Sequence, residues 1–380
     1  MMRPTARSTA AGSDARESAT SSSDASPPGV GQYGVVQGWR MQLRFPAPLR
    51  PGDRIGVTAP SSGVAGIAAA RIDFAVEWLR RRGYDVVVGH CMDGSAHVSA
   101  SREERAAELT AMLTDPGIRA VVPPWGGVTA IDLVDLIDYD SVAAAEPTWV
   151  VGYSDSTTWM LPLTLRTGLA TLHGDNLADT PYSPVPGLAH WLDIAAATDP
   201  VTQRDSGVVA DWWRFEEDPE ATTWKEVGSG GWRLRPTQTG GDRLDVTGRL
   251  IGGCIETIAP LAGARYGDVA GFGREHGPLV VYLEACEDEA FTICRHLHAM
   301  RLAGWFENAA AILIGRTPAP ESEGGFTQED AVVDALGALD IPIVLDLEIG
   351  HVPPHLPLVN GALARVVVDG ERRQITQELR

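Results

Sequence analysis

A chain of 380 residues with 44% hydrophobic content is long enough to bury a large core and favours two domains over one. Its 50 acidic and 31 basic residues give a formal net charge of −19, which argues against a surface for nucleic-acid polymers, because phosphate backbones are held by clustered Lys and Arg. Four cysteines without a dense framework indicate a reducing compartment, and no apolar stretch approaches the length of a membrane span. We therefore expect a soluble, cytoplasmic protein that does not bind membranes.

Residues 1–44 are predicted to form a disordered N-terminal tail. Ser, Thr, Ala and Gly dominate from Ser8 to Ser26, and such a segment cannot bury enough apolar surface to offset its ordering entropy. It lacks the apolar core of a secretory signal. Met41 opens a run that leads directly into the first strand, so translation starts at either Met1 or Met41, and mass spectrometry of the native protein would distinguish the two.

Residues 45–181 alternate strand and helix patterns. Short apolar runs predict strands over residues 54–59, 85–88, 118–122 and 149–151. Apolar residues at helical spacing predict helices over residues 68–82, 102–113 and 129–136, and Ser101 with Glu104 predicts a capping box for the second of them. Strands separated by helices of this length imply a flavodoxin-like parallel sheet, covered on both faces, with its site at the carboxyl edge of the strands.

Ser154 follows the fourth strand, in Gly152-Tyr153-Ser154-Asp155, and precedes an apolar helical run. A serine at a strand-to-helix turn is held clear of the sheet, beside N–H groups that can stabilise an oxyanion. The pattern is only half of the G-x-S-x-G nucleophile turn, because Ser156 stands at the second glycine position. The alternative is that Ser154 or Asp155 merely caps the helix.

Residues 182–245 do not continue the alternation of strands and helices. They are predicted to be a tryptophan-rich connector and substrate loop. The segment contains five of the eleven tryptophans, namely Trp191, Trp212, Trp213, Trp224 and Trp232, with a glycine-rich stretch over 228–231. Tryptophans in a connector commonly pack it onto the domains it joins. The second interpretation is an aromatic surface over a ligand, because indole faces offer large contact area with few rotamers to freeze.

Residues 246–380 are predicted to be a smaller α/β or β-rich C-terminal domain. A helix is expected over 289–303, and strands over residues 278–284, 310–315, 342–346 and 364–370. Glu284 ends the first of these strands, and His351 lies on the rigid turn Gly350-His351-Val352-Pro353-Pro354. Both residues therefore lie at the ends of strands or just beyond them, where functional sites form.

A nucleophilic serine needs a base, and the base needs an acceptor that fixes its tautomer. Among nine histidines His351 is favoured because its turn is rigid, and His173, which follows a short strand near Ser154, is a competitor. A metal site from Cys286, Cys294 and His296 is disfavoured, because the spacing lacks the paired C-x-x-C of structural zinc sites. No glycine-rich phosphate loop occurs, and we predict no cofactor.

Five motifs together resemble the LD-carboxypeptidase family of serine peptidases, which includes the microcin C immunity proteins. In chain order they are Gly56-Val57-Thr58-Ala59-Pro60-Ser61-Ser62, Trp125-Gly126-Gly127, Gly152-Tyr153-Ser154-Asp155-Ser156-Thr157, Leu283-Glu284 and Gly350-His351. The resemblance covers about residues 45 to 375. It implies a triad of nucleophile Ser154, base His351 and orienting residue Glu284. It also implies oxyanion donors from the backbone N–H groups of Asp155 and of a glycine in the Gly126-Gly127 turn, for which we favour Gly127.

The resemblance further implies that the substrate lies between the two domains and that the protein is a homodimer. The long connector favours the microcin-immunity branch, in which Trp224 and Trp232 would contact the nucleobase of an aminoacyl-nucleotide-like substrate. Alternatives are a murein LD-carboxypeptidase acting on a small peptide, and a non-catalytic binding protein. The chain departs from the family where Ala285 and Cys286 follow Glu284 in place of an aspartate, and where Cys254 replaces an asparagine.

Overall fold

The computed structural model describes residues 41–211, 217–237 and 240–379. Most of the predicted tail, together with Trp212 and Trp213, lies outside these ranges. Between residues 54 and 195 the elements are β1 (Arg54–Val57), α1 (Ala68–Arg81), β2 (Asp85–Val88), α2 (Arg102–Thr114), β3 (Ile118–Val121), α3 (Tyr139–Ala144), β4 (Trp149–Gly152), α4 (Thr157–Thr167), β5 (Thr171–His173) and α5 (Trp191–Ala195).

The second half of the chain is richer in strands. Its elements are β6 (Val201–Arg204), β7 (Val208–Ala210), β8 (Glu226–Ser229), β9 (Arg233–Arg235), β10 (Arg243–Cys254), α6 (Ile255–Ile258), α7 (Val269–His276), β11 (Leu279–Glu284), α8 (Ala290–Leu302), β12 (Ala309–Gly315), α9 (Gln328–Leu336), β13 (Ile343–Leu347), β14 (Leu358–Asn360), β15 (Leu363–Asp369) and β16 (Arg372–Glu378). None of the helices in the described residues is long and apolar enough to cross a membrane.

The first sheet has six strands in the order β14-β5-β4-β3-β1-β2. Strands β1 to β5 pair in parallel, as expected for strands joined by helical crossovers. The capping box at Ser101 is present, with the Ser101 side chain accepting from the Glu104 N–H. The edge strand β14 comes from the C-terminal part of the chain and pairs antiparallel with β5. This sheet carries Ser154 at the carboxyl end of β4.

The second sheet has eight strands in the order β6-β16-β15-β10-β11-β12-β13-β9. Strands β10 to β13 pair in parallel, and the flanking strands pair antiparallel. The mixed α/β fold with two sheets is therefore confirmed. The C-terminal sheet has more strands than the first, although we expected the smaller domain there.

Two predicted segments differ from the structure. The segment 182–245 contributes β6 and β9 to the edges of the second sheet and forms a small sheet from β7 and β8. It therefore contains more regular secondary structure than the predicted connector. The helix predicted over 129–136 is a single 3-10 turn, Ala130–Leu133. The physical reason is a competing cap, because the Asp138 side chain accepts the N–H of Ser141 at 3.0 Å and starts α3 instead.

Buried contacts join the two sheets. One apolar cluster includes Leu172 of β5, Leu250 of β10 and Leu358 of β14. Asn360, which is 1% exposed at the end of β14, accepts from the Gly252 N–H at 3.0 Å and the Tyr282 hydroxyl at 2.8 Å. Its Nδ2 lies 3.2 Å from Oγ1 of Thr171. One amide thus satisfies polar groups of both sheets.

We predict that Asn360→Ala lowers the free energy of unfolding by about 2 to 5 kcal/mol, because the Gly252 N–H and the Tyr282 hydroxyl would be left buried without a partner. Urea denaturation followed by circular dichroism measures this change. Asn308→Ala is the control, since the Asn308 amide is only partly buried and makes one long hydrogen bond of 3.4 Å. Equal losses in the two variants would contradict the role given to Asn360.

Candidate active site

Ser154 lies on a strained turn between β4 and α4. Its φ is 61°, in the left-handed region that costs a non-glycine residue about 1–3 kcal/mol and is concentrated at functional sites. The residue is half-buried and opens a 3-10 turn, Ser154–Ser156, that continues into α4. Such a turn leaves the first N–H groups of the helix without intrahelical partners. The predicted strand-to-helix position of this serine is confirmed.

Gly126 lies against this turn. A Cβ at Gly126 would come within 2.8 Å of the Ser154 Oγ and 3.0 Å of the Asp155 backbone nitrogen. A Cβ at Gly127 would overlap the Ser61 Oγ instead. The loop after β3 therefore passes between Ser154 and Ser61, and only glycines allow its backbone to come so close.

Residues of both halves of the chain fix the Ser154 turn. The Thr157 hydroxyl donates to the Ser154 carbonyl at 2.8 Å and accepts from the Cys254 N–H, at the end of β10, at 3.2 Å. The Asp155 carboxylate accepts from Ser61 Oγ at 2.6 Å and from the Ala130 N–H at 2.9 Å. The side chain of Asp155 is thus used in structural hydrogen bonds.

Glu284 and His351 form a buried pair. The Glu284 carboxylate at the end of β11 is 0% exposed, and its Oε2 lies 2.7 Å from Nδ1 of His351. Because a carboxylate accepts, the proton belongs on Nδ1 of the ring. The other oxygen, Oε1, lies 3.8 Å from Nε2 of His173. His173, the competing candidate, therefore lies on the opposite side of the same carboxylate.

This environment shifts the pKa values of both partners. Burial by itself would raise the pKa of Glu284, but the charge and hydrogen bond of His351, together with the nearby His173, outweigh it and lower the pKa to about 2. Burial disfavours the imidazolium of His351, but the Glu284 charge, with hydrogen bonds of the ring to Cys286 and Glu284, raises its pKa well above 6.5. The carboxylate is consequently ionised at neutral pH, and when the ring of His351 is neutral it keeps the remaining proton on Nδ1.

His351 lies against the residue that precedes Ser154 in the chain. Tyr153, next to Ser154 in the chain, places its ring centroid 5.0 Å from that of His351. The ring of Tyr153 thus brings the turn that carries Ser154 close to His351.

A second histidine, which no sequence motif indicated, lies in this region. The ring of His355 lies 5.0 Å from that of Tyr153, and its Nδ1 is hydrogen-bonded to Oδ1 of Asp175. Both side chains are buried. The pattern that could have revealed the pair is the position of His355 four residues after His351, before the apolar run of β14.

The two tryptophans proposed as ligand contacts lie in different environments. Trp224 is half-buried, stacks on Tyr182 with ring centroids 3.9 Å apart, and lies edge-on to His355 at 5.5 Å. Trp232 is 1% exposed, and its indole N–H donates to Glu348 at 2.6 Å. The ring of Trp232 cannot face a ligand here, so we correct that prediction: Trp232 is a packing residue.

Within the part of the chain that the structure describes, two groups of side chains bring possible metal-ligand atoms within 4.8 Å of one another. They are Cys254, Glu284 and His351, and, outside the cleft, Cys294, His298 and Asp334. Hydrogen bonds account for both groups: Glu284 binds His351 as described, and Asp334 accepts from His298 at 2.8 Å and from the Cys294 thiol at 3.4 Å. The Cys286, Cys294 and His296 set considered from the sequence is not among them.

Comparison with known proteins identifies the family. The LD-carboxypeptidase N-terminal domain model matches residues 55–174, and the LD-carboxypeptidase C-terminal domain model matches residues 247–366. The chain belongs to the LD-carboxypeptidase family. Ser154 lies within the first matched range, and Glu284 and His351 lie within the second. Trp224 lies between the two ranges.

Relatives within the LD-carboxypeptidase family align along most of the chain. A protein of Vibrio cholerae serotype O1 named as a carboxypeptidase is 27% identical over 334 residues, covering 84% of this chain and 94% of its own. The microcin C7 self-immunity protein MccF of Escherichia coli is 25% identical over 342 residues, covering 87% and 95%. The structure of MccF in complex with aspartyl sulfamoyl adenosine has the same fold, with a TM-score of 0.74 at 22% identity over 88% of this chain and 98% of that one.

The close approach of Gly350 to the buried carboxylate gives a testable consequence. Gly350 has a φ of +87°, and a Cβ added there would overlap Oε2 of Glu284. We predict that Gly350→Ala lowers the free energy of unfolding by at least about 2 kcal/mol more than Gly277→Ala. Gly277 has a nearly equal φ of +90° with open space around the added Cβ, so it isolates the backbone strain. Urea denaturation of both variants checks this, and equal losses would contradict it.

Proposed function

We propose that this protein is a serine carboxypeptidase or amidase in which Ser154 is the nucleophile, His351 the base and Glu284 the residue that orients the base. The observation that carries the proposal is the buried hydrogen bond of 2.7 Å between Glu284 and His351. The neighbouring Cys254 links this pair, through the Thr157 hydroxyl, to Ser154 on its strained strand-to-helix turn. Family membership supports a hydrolase. The bond to be cleaved is an amide near a free carboxylate or in an aminoacyl-nucleotide-like conjugate.

The reaction follows from these roles. Nε2 of neutral His351 takes the hydroxyl proton of Ser154 while Oγ bonds to the amide carbon. When the tetrahedral intermediate collapses, the C–N bond breaks and the leaving nitrogen takes that proton from His351. Water, activated in the same way, then hydrolyses the acyl-serine to give a carboxylic acid and free Ser154. The fully buried Glu284 carboxylate stabilises the imidazolium that forms in each step.

The backbone N–H groups of Asp155 and Gly127 are the oxyanion donors in this proposal. The close approach of the Gly126 backbone to Ser154 Oγ and to the Asp155 nitrogen supports a shared pocket for the oxyanion. Donors of this kind act because they are positioned before charge develops, and one donor contributes roughly 2.7–4 kcal/mol to transition-state stabilisation.

Trp224 is the proposed contact for the part of the substrate beyond the scissile amide. Tyr182 covers one face of its indole, and the side chain remains partly exposed. An exposed indole face stacks on a nucleobase without bulk positive charge, which agrees with the net charge of −19. By similarity to MccF, whose structure with aspartyl sulfamoyl adenosine shares this fold, we propose detoxification of an aminoacyl-nucleotide-like compound by a homodimer.

We predict that Ser154→Ala reduces kcat by at least about 1,000-fold, because loss of the nucleophile removes acyl transfer and leaves only binding and oxyanion stabilisation. Hydrolysis of an aminoacyl sulfamoyl adenosine and of a murein tetrapeptide is followed side by side by liquid chromatography. Ser141→Ala, an exposed serine on α3, is the control and retains the native rate.

The same assay separates the alternatives. Faster turnover of the murein tetrapeptide would replace the nucleotide-conjugate substrate by a cell-wall peptide and leave the triad intact. Retention of near-native hydrolysis by Ser154→Ala would disprove the acyl-serine mechanism. Tight binding of either compound by the native protein without any hydrolysis would identify the non-catalytic binding protein.

A further inference from the structure

The pair formed by His355 and Asp175 has no role in the triad. His355 lies between β13 and β14, and Asp175 follows β5, so the pair links segments 180 residues apart. The His355 side chain is 7% exposed and the Asp175 side chain 9% exposed. Burying two ionisable groups costs free energy unless they are paired. The hydrogen bond to Asp175 pairs the Nδ1 side of the His355 ring only.

The other ring nitrogen of His355 lacks a partner. Nε2 is fully buried and makes no hydrogen bond to any described residue. Because Asp175 accepts at Nδ1, a proton on Nε2 requires the imidazolium form of the ring. Leaving a buried N–H donor of a charged group without an acceptor costs free energy. Such a donor is therefore a candidate to bind an acceptor atom of a ligand.

The surroundings of His355 favour the charged form. Burial disfavours it and the charge on His351 opposes it, but the carboxylates of Asp175 and Asp179 raise the pKa of His355. Asp179 accepts the Tyr153 hydroxyl at 3.0 Å, and burial raises the pKa of this carboxyl despite the nearby Arg71. Asp175 is therefore the direct counter-charge, and Nε2 is the free end of the pair.

The position of His355 points to substrate. The Tyr153 ring lies 5.0 Å from the rings of both His351 and His355, so a single aromatic ring separates His355 from the proposed base. The His355 ring also lies 5.5 Å from that of Trp224, the proposed contact for the distal part of the substrate. His355 thus contacts both the aromatic ring that lies against the proposed base and the proposed aromatic contact for the substrate.

We propose that the Nε2–H of His355 binds a negatively charged oxygen of the substrate next to the scissile amide, which makes His355 a residue that determines specificity for anionic substrates. The proposal rests on the proposed function and adds one property of the substrate. The group that adjoins the scissile amide carries a negative charge. The same chemistry is offered by the free carboxylate of a peptide and by the charged linker of an aminoacyl nucleotide conjugate. Asp175 is the positioning residue, because it holds the ring and its charge.

The test compares two peptide substrates that differ only at the C-terminus, one with a free carboxylate and one with a carboxamide, assayed for kcat and KM. His355→Gln keeps a polar side chain but cannot be charged. We expect it to reduce kcat/KM for the carboxylate substrate by roughly 10- to 100-fold, the range of one charge-assisted hydrogen bond, and to change that for the carboxamide by less than about threefold. An aminoacyl sulfamoyl adenosine, assayed in parallel, shows whether the conjugate linker depends on His355 in the same way.

Two further variants keep the test independent of folding defects. Asp175→Asn removes the counter-charge, and we expect it to lower the carboxylate-to-carboxamide ratio in the same direction. His190→Gln replaces another buried histidine, 7% exposed, whose two ring nitrogens contact the Thr180 carbonyl and the Leu192 N–H. We expect His190→Gln to leave the carboxylate-to-carboxamide ratio unchanged.

Equal losses on both substrates in His355→Gln, or no loss on either, would overturn the proposal even with the serine mechanism intact. Failure of the proposed function has a different signature, namely hydrolysis by Ser154→Ala. Binding supplies an independent readout: calorimetry with Ser154→Ala as the background measures the affinity for the carboxylate peptide with and without His355→Gln. The proposal predicts weaker binding by a similar factor, and unchanged affinity would contradict it.

Discussion

The candidate site depends on a carboxylate that is completely buried. Glu284 remains ionised inside the protein because His351 binds one oxygen and His173 lies 3.8 Å from the other. An unpaired carboxylate in this place would be protonated or would destabilise the fold. The end of β11, the end of β5 and the turn at Gly350 meet at this carboxylate, so the interaction that fixes the imidazole lies where the two sheets meet.

Backbone register connects this carboxylate to the nucleophile. Cys254 of β10 pairs with Glu284 of β11, and the Cys254 N–H donates to the Thr157 hydroxyl, which donates in turn to the Ser154 carbonyl. The strained φ of Ser154 is thus supported from the opposite sheet. Asn360 adds a second buried connection through Gly252, two residues earlier on β10. Stability and geometry of the site have a common structural basis.

Local patterns in the sequence predicted most of the parallel strands and the turns that carry Ser154, Glu284 and His351, because buried apolar runs and glycine or proline turns are determined by neighbouring residues. Long-range pairing was beyond such patterns. The addition of β14 to the first sheet, of β6 and β9 to the second, and the burial of Trp232 against Glu348 depend on residues more than 100 positions apart. The pair of His355 and Asp175 was missed for the same reason, since each residue alone resembles an ordinary loop residue.

In the proposed mechanism, Ser154 and His351 act as one catalytic unit. The most direct measurement is the kcat of Ser154→Ala, of His351→Ala and of the double variant on the substrate that the native protein cleaves best. The effects of residues that act as a unit are strongly non-additive, so we expect the double variant to be about as slow as either single variant. Multiplicative losses, with the double variant slower by the product of the two single factors, would contradict it.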